Sequence, residues 1–89
     1  MSARVHQLSE IQKEALFLFA RKNQDYGDSF STYGPIGVLV RMQDKIHRCI
    51  SLTKNGVSLV DDESLRDTLI DLHNYSAMAV MLLDDENHK

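Results

Sequence analysis

The stretch DDESLRDTLIDLHNYSAMAVMLL, residues 61–83, decides how the rest of the chain is read. Leu65, Leu69, Leu72, Ser76, Ala79 and Leu83 recur at helical spacing, which predicts a helix over about 62–84 with this stripe as its core face. In its first half Glu63, Asp67 and Asp71 are four residues apart, and Asn74 follows in the same sector. At about 100° per residue the three carboxylates share about 80° of circumference. Like charges at that spacing repel by about a few tenths of a kcal/mol per pair. A divalent cation would compensate them. For this helix taken alone, a solvated acidic face near a helix N-terminus, favoured by the macrodipole, is the simpler account. Beyond Asn74, the residues Tyr75, Met78, Val80, Met81 and Leu82 make the helix apolar on nearly every side. Such a helix must be buried all round, which a small chain cannot do alone. A homodimer or higher homo-oligomer through this third helix is therefore expected.

Working back, Pro35 suits the first turn of a second helix over about 35–54. Leu39, Met42, Ile46, Cys49, Ile50 and Thr53 fall on one side of it, and Arg41, Asp44, Arg48 and Ser51 on the other, with His47 at the margin. Asn55-Gly56 is a helix stop, a short link follows over 57–60, and Asp61 or Asp62 can cap the third helix. A first helix is expected over about 5–24. Its core stripe is Leu8, Ile11, Ala15, Leu18 and Phe19, with Ser9 an imperfect cap candidate and Phe17 on a second packing surface. Between these helices, KNQDYGDSFSTYGPIG (residues 22–37) is rich in turn formers, and Gly27 is the expected end of the first helix. The same loop carries Tyr26, Phe30 and Tyr33, rings that either pin the loop to the core or contact a ligand. The fold class expected is all-α: a single domain over 1–89, three main helices in an oligomeric bundle, and a polar tail fraying over about 85–89.

Composition narrows the function classes. With 43% apolar and 26% charged residues the chain is globular in character, and a net charge of −3 provides no footprint for nucleic acid. The longest apolar run, 77–83, is too short for a membrane span, and the first residues lack the apolar run of a signal peptide. Cys49 is the only cysteine, so no disulfide framework exists and a cytoplasmic setting is expected. A lone cysteine in a helical apolar pattern reads as a small core residue.

The chemistry-bearing side chains are oxygen donors and cations. Mg²⁺ or Mn²⁺ takes hard oxygen ligands and is commonly shared with substrate phosphates. Glu63, Asp67 and Asp71 supply such oxygens, and Asp44 can add one from the facing helix. Lys22, Arg41, Lys45 and Arg48 can hold phosphate oxygens or balance the carboxylates. Tyr26 or Phe30 can stack on a base, Asp25 and Asn74 can contact the substrate, and His47 can transfer protons. No glycine-rich phosphate loop or nucleophile elbow is present.

Three segments, KNQDYGDSF, GVLVRMQDKIHR and ESLRDTLIDLHNYSAMA, together resemble the nucleotide-modification-associated domain of the first type over about 22–81. That family is small, all-helical, found in phages and bacteria, and similar in outline to the MazG-like all-α nucleoside triphosphate pyrophosphohydrolases. The MazG-like pattern holds Mg²⁺ between E-E-x-x-E on one helix and E-x-x-D on the next. Here the first motif falls on Gln43, Asp44 and His47, and the second on Ser64 and Asp67, with Glu63 displaced by one position and Asp71 added one turn on. The resemblance implies a Mg²⁺- or Mn²⁺-dependent pyrophosphohydrolase acting on a nucleoside triphosphate or modified nucleotide. Asp67, Asp44 and His47 would be catalytic, and Asp44, Glu63, Asp67 and Asp71 would hold metal. A noncatalytic nucleotide-binding or accessory module and a purely structural helical oligomer stand as the alternatives.

Overall fold

The computed structural model describes residues 2–54 and 63–87, apart from the side chains of Tyr26 and Glu63. Three helices carry the described chain: α1 (Ala3–Tyr26), α2 (Gly34–Lys54) and α3 (Glu63–Asn87), with a 3-10 turn at Ser29–Ser31 and no strand among the described residues. The all-α expectation holds. The expected stop at Asn55-Gly56, the link over 57–60 and the cap at Asp61 or Asp62 lie outside the described residues.

Local chemistry explains the helix ends. The side chain of Ser2, not Ser9, caps α1: its Oγ accepts the Val5 N–H at 3.2 Å. The helix thus starts two residues before its expected position, and Ser9 lies in its interior. Gly27 ends α1 with φ 59° and ψ −141°, a backbone region essentially confined to glycine, and its N–H donates to the Asn23 carbonyl at 2.7 Å. Asn23 and Asp25 therefore belong to the last turn of α1 rather than to a loop. The 3-10 turn closes on itself. The Ser31 hydroxyl donates to the Asp28 carbonyl at 2.7 Å, and that of Thr32 to the Ser29 carbonyl at 2.8 Å. Pro35 sits in the first turn of α2 as expected. At the far end α3 continues to Asn87 through the segment expected to fray from 85, because neither glycine nor proline interrupts it.

Helices α2 and α3 form an antiparallel hairpin. Near one end the Arg48 guanidinium donates to Ser64 Oγ at 3.2 Å; at the other, a Cβ placed on Gly34 would lie 4.0 Å from Glu86 Oε1. Helix α1 packs chiefly on α3. The Asn74 amide donates to the Ala15 carbonyl at 3.0 Å, and Arg66 grips Glu14 with two nitrogens at 3.0 and 2.7 Å. The core is small: Ala15, Val38, Ile70 and Leu82 are buried, with Thr68 and Asn74 as its polar members. Thr68 satisfies its hydroxyl on the Ser64 carbonyl at 2.8 Å.

The apolar stripe on α3 is only half-covered. Leu69 is 51% exposed, Leu83 48%, and Ser76 is exposed, whereas Asp71 of the carboxylate sector turns inward, its side chain 19% exposed, and Asp67 stays exposed. The reason is geometric. Arg66, Ile70 and Asn74 make the side of α3 that meets α1, and Asp71, Tyr75 and Met78 the side toward α2. The leucine stripe is a third side, about 110–140° from either of these at the helical pitch. Two neighbours cover two sides, and on the third Leu65, Leu72 and Ala79 are half-buried while Leu69, Ser76 and Leu83 stay exposed. Helix α2 is split in the same way: Val38 is buried and Met42 and Cys49 half-buried, while Leu39, Ile46 and Ile50, expected on the same core face, are exposed.

Candidate functional site

The end of α1, the 3-10 turn and the first turns of α2 surround a cleft of about 570 Å³, closed on its remaining side by Tyr75 and Met78 of α3. Its origin lies in the stop at Gly27, which sends the chain across the bundle and sets the short turn's aromatic ring against α1. Phe30 meets Phe19 edge to face, with ring centroids 6.2 Å apart and planes at 71°. Tyr33, 82% exposed, stands at the rim, and its Cβ lies only 2.7 Å from where a Cβ on Gly37 would be. Glycine at 37 is thus what lets the tyrosine sit there.

Two cations reach the cleft, Lys22 from α1 and Arg41 from α2. Arg41 has no hydrogen-bond or ion-pair partner among the described residues. Lys22 turns its ammonium to Asp71 Oδ1 at 3.1 Å, and Lys45 approaches Asp71 Oδ2 at 3.5 Å. Asp71 thereby joins all three helices at one point, and the two lysines gathered by a single carboxylate leave local positive charge at the edge of the cleft. A second, smaller cleft of about 430 Å³ lies between α1 and α3, lined by Glu14, Phe17, Leu18, Lys22, Arg66, Asp67, Ile70 and Asp71. Along its wall the Arg66 hydrogen bond holds the Glu14 carboxyl below its ordinary value, and Glu14 in return raises Arg66.

The sequence-derived candidates separate into groups. Lys22, Phe30 and Arg41 meet in the main cleft with Tyr33, one of the three loop rings read as ligand contacts or core pins, and they are joined by Asn23, Ser29 and Tyr75, which sequence reasoning did not single out as ligand contacts. Asn23 and Tyr75 gave no distinguishing signal, since one looked like a turn former and the other like a core residue. Lys45 serves Asp71, and Arg48 serves Ser64 at the hairpin's other end. Asn74 is buried and directed at Ala15, with its Oδ1 3.2 Å from His73 Nδ1; it ties helices together and does not line the cleft. Asp25, Asp44 and His47 are exposed and do not line it either, and the side chains of Tyr26 and Glu63 lie outside the described residues.

The described donors do not fit a resident divalent cation. Both oxygens of Asp71 face lysines, Asp44 and Asp67 are exposed, and among the described residues no three of His, Cys, Asp and Glu gather closely enough to share a metal ion. Nor is any described helix long and apolar enough to cross a membrane. The arrangement is suited to holding an anion beside a flat ring.

No match was found among curated proteins, and none among solved structures. The model of one family, nucleotide modification associated domain 1, matches residues 22–83. That span begins at Lys22 and includes the 3-10 turn, α2 and α3 as far as Leu83, and so takes in every cleft residue except Phe19. The chain belongs to the nucleotide modification associated domain 1 family.

Proposed function

We propose that the chain binds a phosphorylated nucleotide in the main cleft without hydrolysing it. The observation that carries this reading is Arg41, a cation without a partner among the described residues, set in a cleft with Phe19, Phe30, Tyr33 and Tyr75. A guanidinium engages phosphate oxygens through two parallel hydrogen bonds, and aromatic faces stack on bases with little regard to sequence. Lys22 and the Asn23 amide add donors on the opposite wall. The family's association with nucleotide modification supports the same ligand class.

Metal-dependent pyrophosphohydrolysis is the rival. It requires Asp71 to leave Lys22 and Lys45, and Asp44 and Asp67 to gather around Mg²⁺ or Mn²⁺. Binding without turnover requires no such rearrangement, which is why it is preferred.

Thermal melting and calorimetry with ribo- and deoxynucleotides, modified pyrimidines included, test the reading in chelator and in Mg²⁺. A ligand at a hundredfold excess over its Kd adds about 2.7 kcal/mol and raises Tm by roughly 10 °C or more. The expected result is a shift that survives chelator, is lost in Arg41→Gln, weakens in Tyr33→Ala, and comes without pyrophosphate release. No shift with any nucleotide refutes binding; release of pyrophosphate in Mg²⁺ makes the hydrolase reading correct.

A further inference from the structure

Charge is distributed unevenly along the main cleft. Lys45 lies one turn beyond Arg41 on α2 and shares Asp71 with Lys22, so these cations gather toward one end of the cleft. Tyr33 and Gly37 lie the other way from Arg41, around the start of α2. Asn23 follows Phe19 by four residues, on the same side of α1, and so stands beside the edge-to-face pair of Phe19 and Phe30. The backbone carbonyl of Asn23 takes the Gly27 N–H, but its half-buried side-chain amide has no partner among the described residues.

Charge also limits the ligand. Two lysines on one carboxylate leave one net positive charge and Arg41 adds a second, while no carboxylate lines the main cleft among the described residues. A phosphate monoester carries about −1.5 to −2 at neutral pH, which these charges match. A triphosphate carries more, and is commonly bound with Mg²⁺ through one or two protein carboxylates. Asp44 and Asp67, the carboxylates that could serve in that way, do not line the cleft.

We infer that the ligand is a nucleoside monophosphate, its phosphate on Arg41 and the edge of its base on the Asn23 amide. This rests on the nucleotide reading above, and adds to it the phosphate count and the residue that tells bases apart. A carboxamide sets a donor beside an acceptor, and pairs with a base edge that presents the converse. Aromatic rings stack on any base, and a guanidinium on the phosphate reads none. Asn23 is therefore the specificity-determining position of the cleft.

Calorimetry on the full chain, in chelator and at one salt concentration, compares the mono-, di- and triphosphates of each common base. The monophosphate should bind at least as tightly as the triphosphate of the same base, and a tighter triphosphate overturns the inference. Absence of binding by every nucleotide removes the nucleotide reading itself, so the two failures are told apart. Among monophosphates, Arg41→Gln should weaken all bases by a similar factor, about tenfold or more, and keep the differences between them. Asn23→Ala should weaken the best-bound base by about tenfold and narrow those differences. A wild-type chain indifferent to the base, or differences unchanged in Asn23→Ala, overturns the role of Asn23 and the inference with it. Should Asn23→Ala lose helical circular dichroism, Asn23→Leu, close in size and a better helix former than asparagine, decides by the same criterion.

Discussion

Helix α1 is joined to the hairpin by few contacts, and Asn74 is the buried one among the polar ties. Its amide donates to the Ala15 carbonyl at 3.0 Å, where Asn74 is 8% exposed and Ala15 fully buried. The Ala15 oxygen lies inside α1 and keeps its own helical bond, so Asn74→Ala removes a hydrogen bond without orphaning the acceptor. The expected cost is about 1–2 kcal/mol, or a Tm lower by about 5–15 °C for a domain of this size. Asn74→Asp is the sharper perturbation, because it keeps the shape but turns an acceptor-only carboxylate toward a carbonyl. At neutral pH this should cost about 2–4 kcal/mol, since the charge is desolvated and the oxygen that replaces the amide nitrogen is repelled by the Ala15 carbonyl, while the other oxygen keeps its contact with His73 Nδ1. Burial raises the pKa of such a carboxyl above its unfolded value. The penalty is therefore fully present above the folded pKa, shrinks as pH falls, and is gone below the unfolded value of about 3.9, where the protonated carboxyl can donate to Ala15. Far-UV circular dichroism melts across pH, at one protein concentration, measure this, and native-state hydrogen exchange should show α1 opening first. A melt unmoved by Asn74→Ala, or an Asn74→Asp penalty that persists undiminished into acid, would refute the role assigned to this residue.

Other outcomes follow from the same contacts. Asp71→Asn removes the anion holding Lys22 and Lys45, and should lower stability by about 1–2 kcal/mol in chelator; a fall seen only when Mn²⁺ is present would instead make Asp71 a metal ligand. Gly27→Ala meets no atom within 4 Å, so its cost is backbone strain alone, about 1–3 kcal/mol by urea denaturation; an unchanged midpoint would contradict the φ of 59°. Gly37→Ala should displace Tyr33 and weaken nucleotide binding by calorimetry while leaving the helix content unchanged, and full affinity in this variant would remove Tyr33 from the site. The Glu14 contribution, from a carboxyl held below 4.5 by Arg66, should be present above that pH and lost as pH falls through its lowered value. Glu14→Gln should accordingly flatten the acid limb of the stability profile, and an acid limb identical to wild type would show the pair to be without effect.

What the sequence made legible, and what it hid, follows from how much a period can say. The 3.6-residue recurrence of apolar positions identifies helices, and a glycine that tolerates φ 59° ends one, so the three helices and the stop at Gly27 were readable. Recurrence does not say which neighbour covers a stripe. The Leu69–Leu83 stripe has the stronger apolar pattern, yet the side of α3 that turns inward is the one carrying Asp71 and Asn74, because polar groups there find specific partners in two lysines and a carbonyl. A stripe of leucines has no such address and packs against any apolar surface. The main cleft was hidden for a related reason. Lys22, Phe30 and Arg41 announced themselves by type, but Asn23 and Tyr75 became neighbours of the site only once α1 ran to Tyr26 and the chain crossed the bundle. The division of labour on α3 follows from this. Its polar ties orient α1 and, through α1, the wall of the cleft, while Leu69 and Leu83 stay exposed. A variant in the ties should therefore alter nucleotide binding in the cleft, and a variant at Leu69 or Leu83 should leave that binding unchanged.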